Sequence, residues 1–363
     1  MELAGLIREH GEAFEAKYGS RLTTDQRRAL AAMLRCRTPA AGQVVVSCPE
    51  CGQVELRPHS CGHRSCPKCQ NHQATEWLER QQEKLLPCSY YLITFTLPEQ
   101  LRPCARRNQE AVYGDMFEAA SEAITELAKN PRFIGGEPGM TGILHTHTRQ
   151  LEYHPHIHFI VPGGGLDRKA KTWRKLRRGY LLPHKMLARL FFGKMLALLR
   201  KRKLAVPPNL PKEWVVDIIH AGSGIPALQY LSRYLYRGVV AESNILSSQD
   251  GMVTYRYRDG KTKETCSRTI PGEDFLWLVI QHVLPTRFRR VRDYGFLHGR
   301  DRTTLNLIQL ILHVRLPPRK PTPRPVFKCT ACGHNMVILG HGQGTVHDRK
   351  ARDPPTVPAC IGA

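Results

Sequence analysis

The chain has 363 residues, of which 41% are hydrophobic and 23% charged, and a formal net charge of +23. That length allows a full core plus one or two small modules, and so positive a chain calls for a polyanionic partner. No run of about 18 apolar residues is present for a membrane span. Met1 to Gly19 carries Glu2, Arg8, Glu9 and Glu12 among its apolar residues, unlike a signal peptide, so nucleic acid is the expected partner and a membrane is not.

Residues 1–35 read as helical, with Thr24 or Asp25 as an N-cap before Gln26–Leu34. A cysteine-rich segment follows. Of the twelve cysteines, five lie between Cys48 and Cys69. Cys48-Pro-Glu-Cys51 and Cys66-Pro-Lys-Cys69 have the spacing of two knuckles that together supply four thiolates to a structural zinc ion. Cys36, Cys61, His63 and His72 offer ligands for a second site. Close cysteine pairs without a secretion signal favour metal over disulfides, and a reducing, cytoplasmic compartment.

Gln70–Leu86 predicts a helix that stops at Pro87, and Tyr90–Thr96 a buried strand. A helix is expected from about Arg106 to Lys129. Gly142–Thr148 and His154–Val161 are apolar runs split by a polar stretch, a hairpin pattern that Pro162 and three glycines end. Further on come helices over Pro183–Lys203, Ile225–Arg237, Glu273–Val283 and Thr303–Val314. Strands are expected at Trp214–Ile219 and Arg289–Leu297, with a second hairpin around Asp259-Gly260. Arg315–Val326, with five prolines and four basic residues, reads as an extended linker. Beyond it, Cys329-Thr-Ala-Cys332 is half of another zinc site in a small tail.

This mixed order predicts an α+β fold with a central, mostly antiparallel sheet. The expected domains are a helical and zinc-binding region over 1–75, a catalytic domain over 76–314, the linker over 315–326, and the tail over 327–363.

The most informative residues are His154-Pro-His-Ile-His158. Period-two alternation puts His156 and His158 on one strand face, where two neutral imidazoles can hold a divalent cation. If the hairpin pairs with an odd sum of residue numbers, His145 and His147 face them. Tyr230 and Tyr234 sit one turn apart on one helix face, and a phenol near a cation-held phosphate can attack it. Arg233 and Arg237 form an adjoining basic stripe. Arg168, Lys169, Lys171, Arg174, Lys175, Arg177 and Arg178 suit phosphates, with the Trp173 ring available for base stacking.

The chain resembles the IS91-type transposases of the HUH endonuclease superfamily. The likeness rests on Cys36-Arg-Thr-Pro, Ser60-Cys61…Cys66-Pro-Lys-Cys69-Gln70, Leu144-His-Thr, Tyr153-His-Pro-His-Ile-His158, Gly163-Gly-Gly, Tyr230-Leu-Ser-Arg-Tyr234 and Val291-Arg-Asp-Tyr-Gly-Phe296. It implies a ferredoxin-like or RRM-like sheet with the histidines on a central strand. It also implies rolling-circle-type transposition, acting on single-stranded DNA at transposon termini and on target DNA. The catalytic residues would be Tyr230, Tyr234, His156 and His158, with Mg²⁺ or Mn²⁺ as catalytic cation and Zn²⁺ as structural ion. HUH enzymes add a Glu, Gln or His as third ligand, and Gln150 or His147 is expected in that place. By analogy the intermediate is a 5′-phosphotyrosine, formed without a nucleotide cofactor. A replication initiator or relaxase of the same chemistry, or a non-enzymatic zinc-dependent DNA-binding regulator, is the alternative.

Overall fold

The structure, a computed structural model, describes residues 1–69, 71–176, 179, 181–235, 238–260, 262–315 and 322–342, with only the backbone of 233–235. The N-terminal part holds α1 (Leu3–Tyr18), α2 (Thr24–Arg35), β1 (Gln43–Ser47), β2 (Val54–Pro58) and α3 (Asn71–Gln82). Next come β3 (Tyr90–Thr96), α4 (Arg102–Arg107), α5 (Gln109–Lys129), β4 (Met140–His147) and β5 (Tyr153–Pro162). Then follow β6 (Gly164–Asp167), β7 (Thr172–Lys175), α6 (His184–Lys201), β8 (Val216–His220) and α7 (Ile225–Leu235). The chain continues with β9 (Ile245–Gln249), β10 (Met252–Arg258), β11 (Thr265–Pro271), α8 (Gly272–Ile280), β12 (Val291–Tyr294), α9 (Arg302–Ile311) and β13 (Val337–Gly342). No helix among the described residues is long and apolar enough to cross a membrane.

The chain divides into two units, one of Met1–Leu34 with Gly62–Arg324, the other of Arg35–Cys61 with the segment from Pro325. In the larger unit the principal sheet has the order β12-β4-β5-β3-β8, antiparallel throughout. The succession β3-α5-β4-β5-α6-β8, laid out as β8-β3-β5-β4, is the ferredoxin-like arrangement, with β12 added beside β4.

Period two sorts the faces of this sheet. Tyr91, Ile93 and Phe95 of β3, and Ile157, Phe159 and Val161 of β5, enter one core with α5 and α6. α6 buries Leu187, Phe191, Met195 and Leu199, each one turn after the last, and so presents a single apolar stripe. On the opposite face, Tyr90, Ile143 and Ile160 pack with Trp77 of α3 and with Ala227, Leu228 and Leu231 of α7. That cover stops short of His156 and His158, whose end of the face lines an open cleft.

β9, β10 and β11 form a separate antiparallel sheet in this unit. β9 was not expected: Ile245-Leu-Ser-Ser-Gln249 has little apolar alternation, and only Ile245 is buried. Pairing with β10, rather than side-chain pattern, makes it a strand. α1 packs on α8, where the Tyr18 and Trp277 rings stack 4.9 Å apart. α1 and α2 thus fall in the larger compact unit.

The smaller unit is a three-stranded sheet, β13-β1-β2. The tail beyond residue 327 is not independent, because β13 pairs antiparallel with β1. An isolated hairpin of β1 and β2 would be marginal, and the third strand covers its open edge. Residues 316–321 of the expected linker lie outside the described residues.

Gly142 sits opposite Phe159, and a Cβ there would lie 2.6 Å from the Phe159 ring and 3.1 Å from Phe117. Gly142→Ala should overpack this core and cost about 1–3 kcal/mol. Calorimetry checks this as a lowered thermal midpoint, and an unchanged midpoint would contradict the packing described.

Candidate active site and metal centres

The β4–β5 register places His145 directly opposite His156 and Ile143 opposite His158. The sum is odd, so His145, His156 and His158 share the face away from α5 and α6. Their rings lie 4.8–5.3 Å apart, and one ligand nitrogen from each falls within 4.8 Å of the others. The third histidine of the group is His145 rather than His147, and Gln150 is not among the residues that line the cleft. A register shift between His145 and His147 pairs His147 with Tyr153, and its ring lies 5.3 Å from His282. Gln150 accepts a hydrogen bond from Tyr255 Oη through its carbonyl.

Burial pushes the His158 pKa down to about 3 and that of His156 to about 4, and holds His145 well below the ordinary range. All three are neutral imidazoles at pH 7, the form that binds metal. His156 Nδ1 donates to the His154 carbonyl at 2.7 Å, which leaves Nε2 with its lone pair toward the group. Thr94 Oγ1 lies 2.8 Å from His158 Nδ1 and holds that ring in place. Three neutral, oriented imidazoles fit one divalent cation.

The cleft around them has a volume of about 600 Å³. Tyr230 lines it from α7, which carries Pro226 in its first turn and is anchored by Leu228 and Leu231. Tyr230 is 37% exposed, enough for a substrate to reach it. The side chain of Tyr234 lies outside the described residues, as do the side chain of Arg233 and all of Arg177, Arg178 and Arg237. The opposite wall is β10, which brings Tyr255, Arg256, Tyr257 and Arg258 to the cleft, with Arg149 beside them. These five carry no expectation from sequence, although the alternation of aromatic and basic residues in Thr254-Tyr-Arg-Tyr-Arg258 was a usable signal.

The basic run at 168–178 differs from expectation. Residues 168–175 form the turn and second strand of the β6–β7 hairpin, where Trp173 packs edge-on against Phe296 at 5.8 Å and lies over Gly164. That ring is half-buried and packs against the cluster of Phe296 and its neighbours. Arg168 is paired with Glu137 and Asp301, and Arg174 with Asp167. Lys169, Lys171 and Lys175 are exposed.

In the smaller unit, Cys48 and Cys51 are joined by Cys329 and Cys332, not by Cys66 and Cys69. The Sγ atoms of Cys48 and Cys332 are 3.4 Å apart, and those of Cys51 and Cys329 3.6 Å. Zinc–sulfur bonds of about 2.3 Å in a tetrahedron put sulfurs about 3.8 Å apart, so the four thiols fit a zinc ion. Both knuckles read Cys-x-x-Cys-Gly, and Gly52 and Gly333 adopt positive φ of 72° and 76°. The chain folds back there so that the Gly52 N–H reaches the Cys48 carbonyl and the Gly333 N–H that of Cys329. Cys36 and Cys61 belong to this unit, whereas Cys66 and Cys69 belong to the larger one, where the Cys69 N–H donates to the Cys66 carbonyl. His63 Nδ1 accepts from the Ser65 N–H, and His72 pairs with Glu76.

Residues 139–304 match the family described as "Putative transposase", and residues 6–97 match the "Transposase zinc-binding domain". Putative transposase y4qJ of Sinorhizobium fredii is 34% identical over 375 residues, spanning 93% of this chain and 94% of that protein. The transposase for insertion sequence element IS801 of Pseudomonas savastanoi pv. phaseolicola is 27% identical over 352 residues, spanning 84% and 81%. The chain belongs to the IS91 family of transposases and carries that family's zinc-binding domain. Among solved structures, the conjugative relaxase TrwC in complex with oriT DNA aligns with a TM-score of 0.27 and 13% identity over 61% of this chain and 71% of that one, a likeness too slight to argue from.

Two outcomes are expected of the metal centres. Thr94→Val should weaken Mn²⁺ affinity about 10- to 100-fold by calorimetric titration, by releasing the His158 ring. Cys329→Ser should lower zinc content by about one equivalent per chain. Unchanged values would contradict the assignments.

A third concerns pH. Folded pKa values near 3–4 for His156, His158 and His282 lie below the unfolded value of about 6.5. The unfolded chain therefore takes up protons first, and stability should fall as pH drops from about 6.5 toward 4, by as much as about 1.4 kcal/mol per histidine per pH unit. Denaturant titrations across that window check the slope, and a flat profile would contradict it.

Proposed function

We propose that this transposase cleaves and rejoins single-stranded DNA at transposon ends through a 5′-phosphotyrosine on Tyr230, at a divalent-cation site made by His145, His156 and His158. The observation that carries this reading is the convergence of three neutral imidazoles and one accessible phenol on a single cleft. Bound there, Mg²⁺ or Mn²⁺ would offset the negative charge of the scissile phosphate.

The protein's own groups do the remainder. The Tyr230 oxygen attacks phosphorus and its proton passes to solvent, while the bond to the 3′ oxygen breaks and that oxygen takes a proton from water. The new ester preserves the energy of the old one, so a second 3′-hydroxyl can displace the tyrosine without a nucleotide cofactor. Tyr234, one turn further along α7, is the proposed second nucleophile for a two-strand exchange. Arg149, Arg256 and Arg258 line the same cleft and would hold flanking phosphates.

A labelled single-stranded terminal oligonucleotide incubated with the protein and Mn²⁺ should give an SDS-resistant adduct. Tyr230→Phe should abolish the first adduct, and His158→Ala should abolish cleavage altogether. DNA binding without any adduct would instead indicate a non-enzymatic regulator.

A further inference from the structure

A second cavity in the larger unit, of about 640 Å³, gathers positive charge that the cleavage chemistry does not use. Arg21, ahead of α2, and Arg102, Arg106 and Arg107 of α4 converge on it. Two of them are braced on aromatic faces, Arg21 at 4.4 Å over Trp277 and Arg106 at 4.5 Å over Tyr153. Those rings are therefore occupied, and the cavity presents guanidinium donors rather than a stacking platform.

Some arginines elsewhere in the chain hold carboxylates: Arg27 pairs with Glu15, Arg168 with Asp301, and Arg202 with Asp115. Arg21, Arg102, Arg106 and Arg107 form no ion pair among the described residues. Of the two carboxylates on the cavity wall, Glu152 lies 3.6 Å from Arg268 and Glu99 has no ion pair among the described residues. Arg102 Nε is buried without a hydrogen-bond partner among the described residues. A buried donor of this kind is costly until an acceptor arrives. Burial, and after it the nearby Arg21 and Arg102, also lower the pKa of Arg106. Such a set of forked donors matches phosphate oxygens.

The cavity adjoins the histidine cleft. Arg102 Nη2 donates to His154 Nδ1 at 2.8 Å, and His154 lines the cleft while its carbonyl orients His156. Glu152 and Tyr153, the preceding residues, line the arginine cavity.

We infer that the arginine cavity is a phosphodiester-binding subsite, which grips the backbone of the substrate strand on one flank of the scissile phosphate. This rests on the reading that single-stranded DNA occupies the histidine cleft.

The test compares two oligonucleotides, one of about 6 nucleotides around the cleavage position and one extended on both sides to about 20. Binding is measured in the Tyr230→Phe background, so that it is read without cleavage. Arg106→Gln/Arg107→Gln should weaken the long oligonucleotide about 10-fold at low salt and reduce its salt slope by about 1.4, the value for two lost phosphate contacts on a single strand. The short oligonucleotide should be unaffected. Lys129→Gln/Arg132→Gln, which removes equal charge at and beyond the far end of α5, should change neither by more than about twofold. Equal losses from both pairs, an equal loss on the short oligonucleotide, or no loss on the long one would each overturn the inference. A protein that binds with this length dependence but never forms an adduct would sink the catalytic reading and leave the subsite standing.

Discussion

The register of one antiparallel pair governs the whole site. With His145 opposite His156, the even-numbered residues of β5 lie on the face that carries the cleft, with His154, His156 and His158 lining it, while Ile157, Phe159 and Val161 face α5 and α6. A slip of one residue would drive His156 and His158 among Phe95, Phe117 and Phe191 and expose Ile157 and Phe159. The apolar side of the sheet therefore fixes the geometry of its polar side. The irregularity between His145 and His147 has the complementary effect. It interrupts the ladder after His145 and leaves His147 beside His282.

Holding several imidazoles out of water is unfavourable for the charged form, and the structure uses that cost to keep them neutral. Orientation is set by ordinary backbone and hydroxyl groups, the His154 carbonyl and Thr94 Oγ1. Both come from the sheet itself, so the donors sit on rigid strands, while Tyr230 is presented by a helix packed on the same face. In this arrangement the three imidazoles and the Tyr230 phenol are positioned by the same sheet. The arginines beside His154 extend the same logic, since Arg102 reaches that histidine from α4.

Much of this was legible in the residues. The β-branched and aromatic content of Tyr90–Thr96 and the apolar run His154–Val161 point to the central strands, and of the two possible registers the structure adopts the odd-sum one for His145 but not for His147. That register could also have singled out His145 over His147, had the break in the ladder been foreseen, but bulges leave little trace in sequence. The partners of Cys48 and Cys51 lie some 280 positions away, and no local spacing carries that information. Trp173 looked like a surface ring because its neighbours are basic. Its packing depends on Phe296 and Gly164, which only the folded chain brings near. The arginine cavity likewise assembles residues from separate helices and loops, with no periodicity to announce it.

Pulsed electron paramagnetic resonance on protein-bound Mn²⁺ tests the central claim most directly, because it counts the nitrogens coordinated to the ion. The account predicts couplings from three imidazoles, reduced to two when His145 is replaced by alanine and unaffected by replacement of Gln150 or His147. Spectra showing only water around the ion, or couplings indifferent to His145, would contradict it.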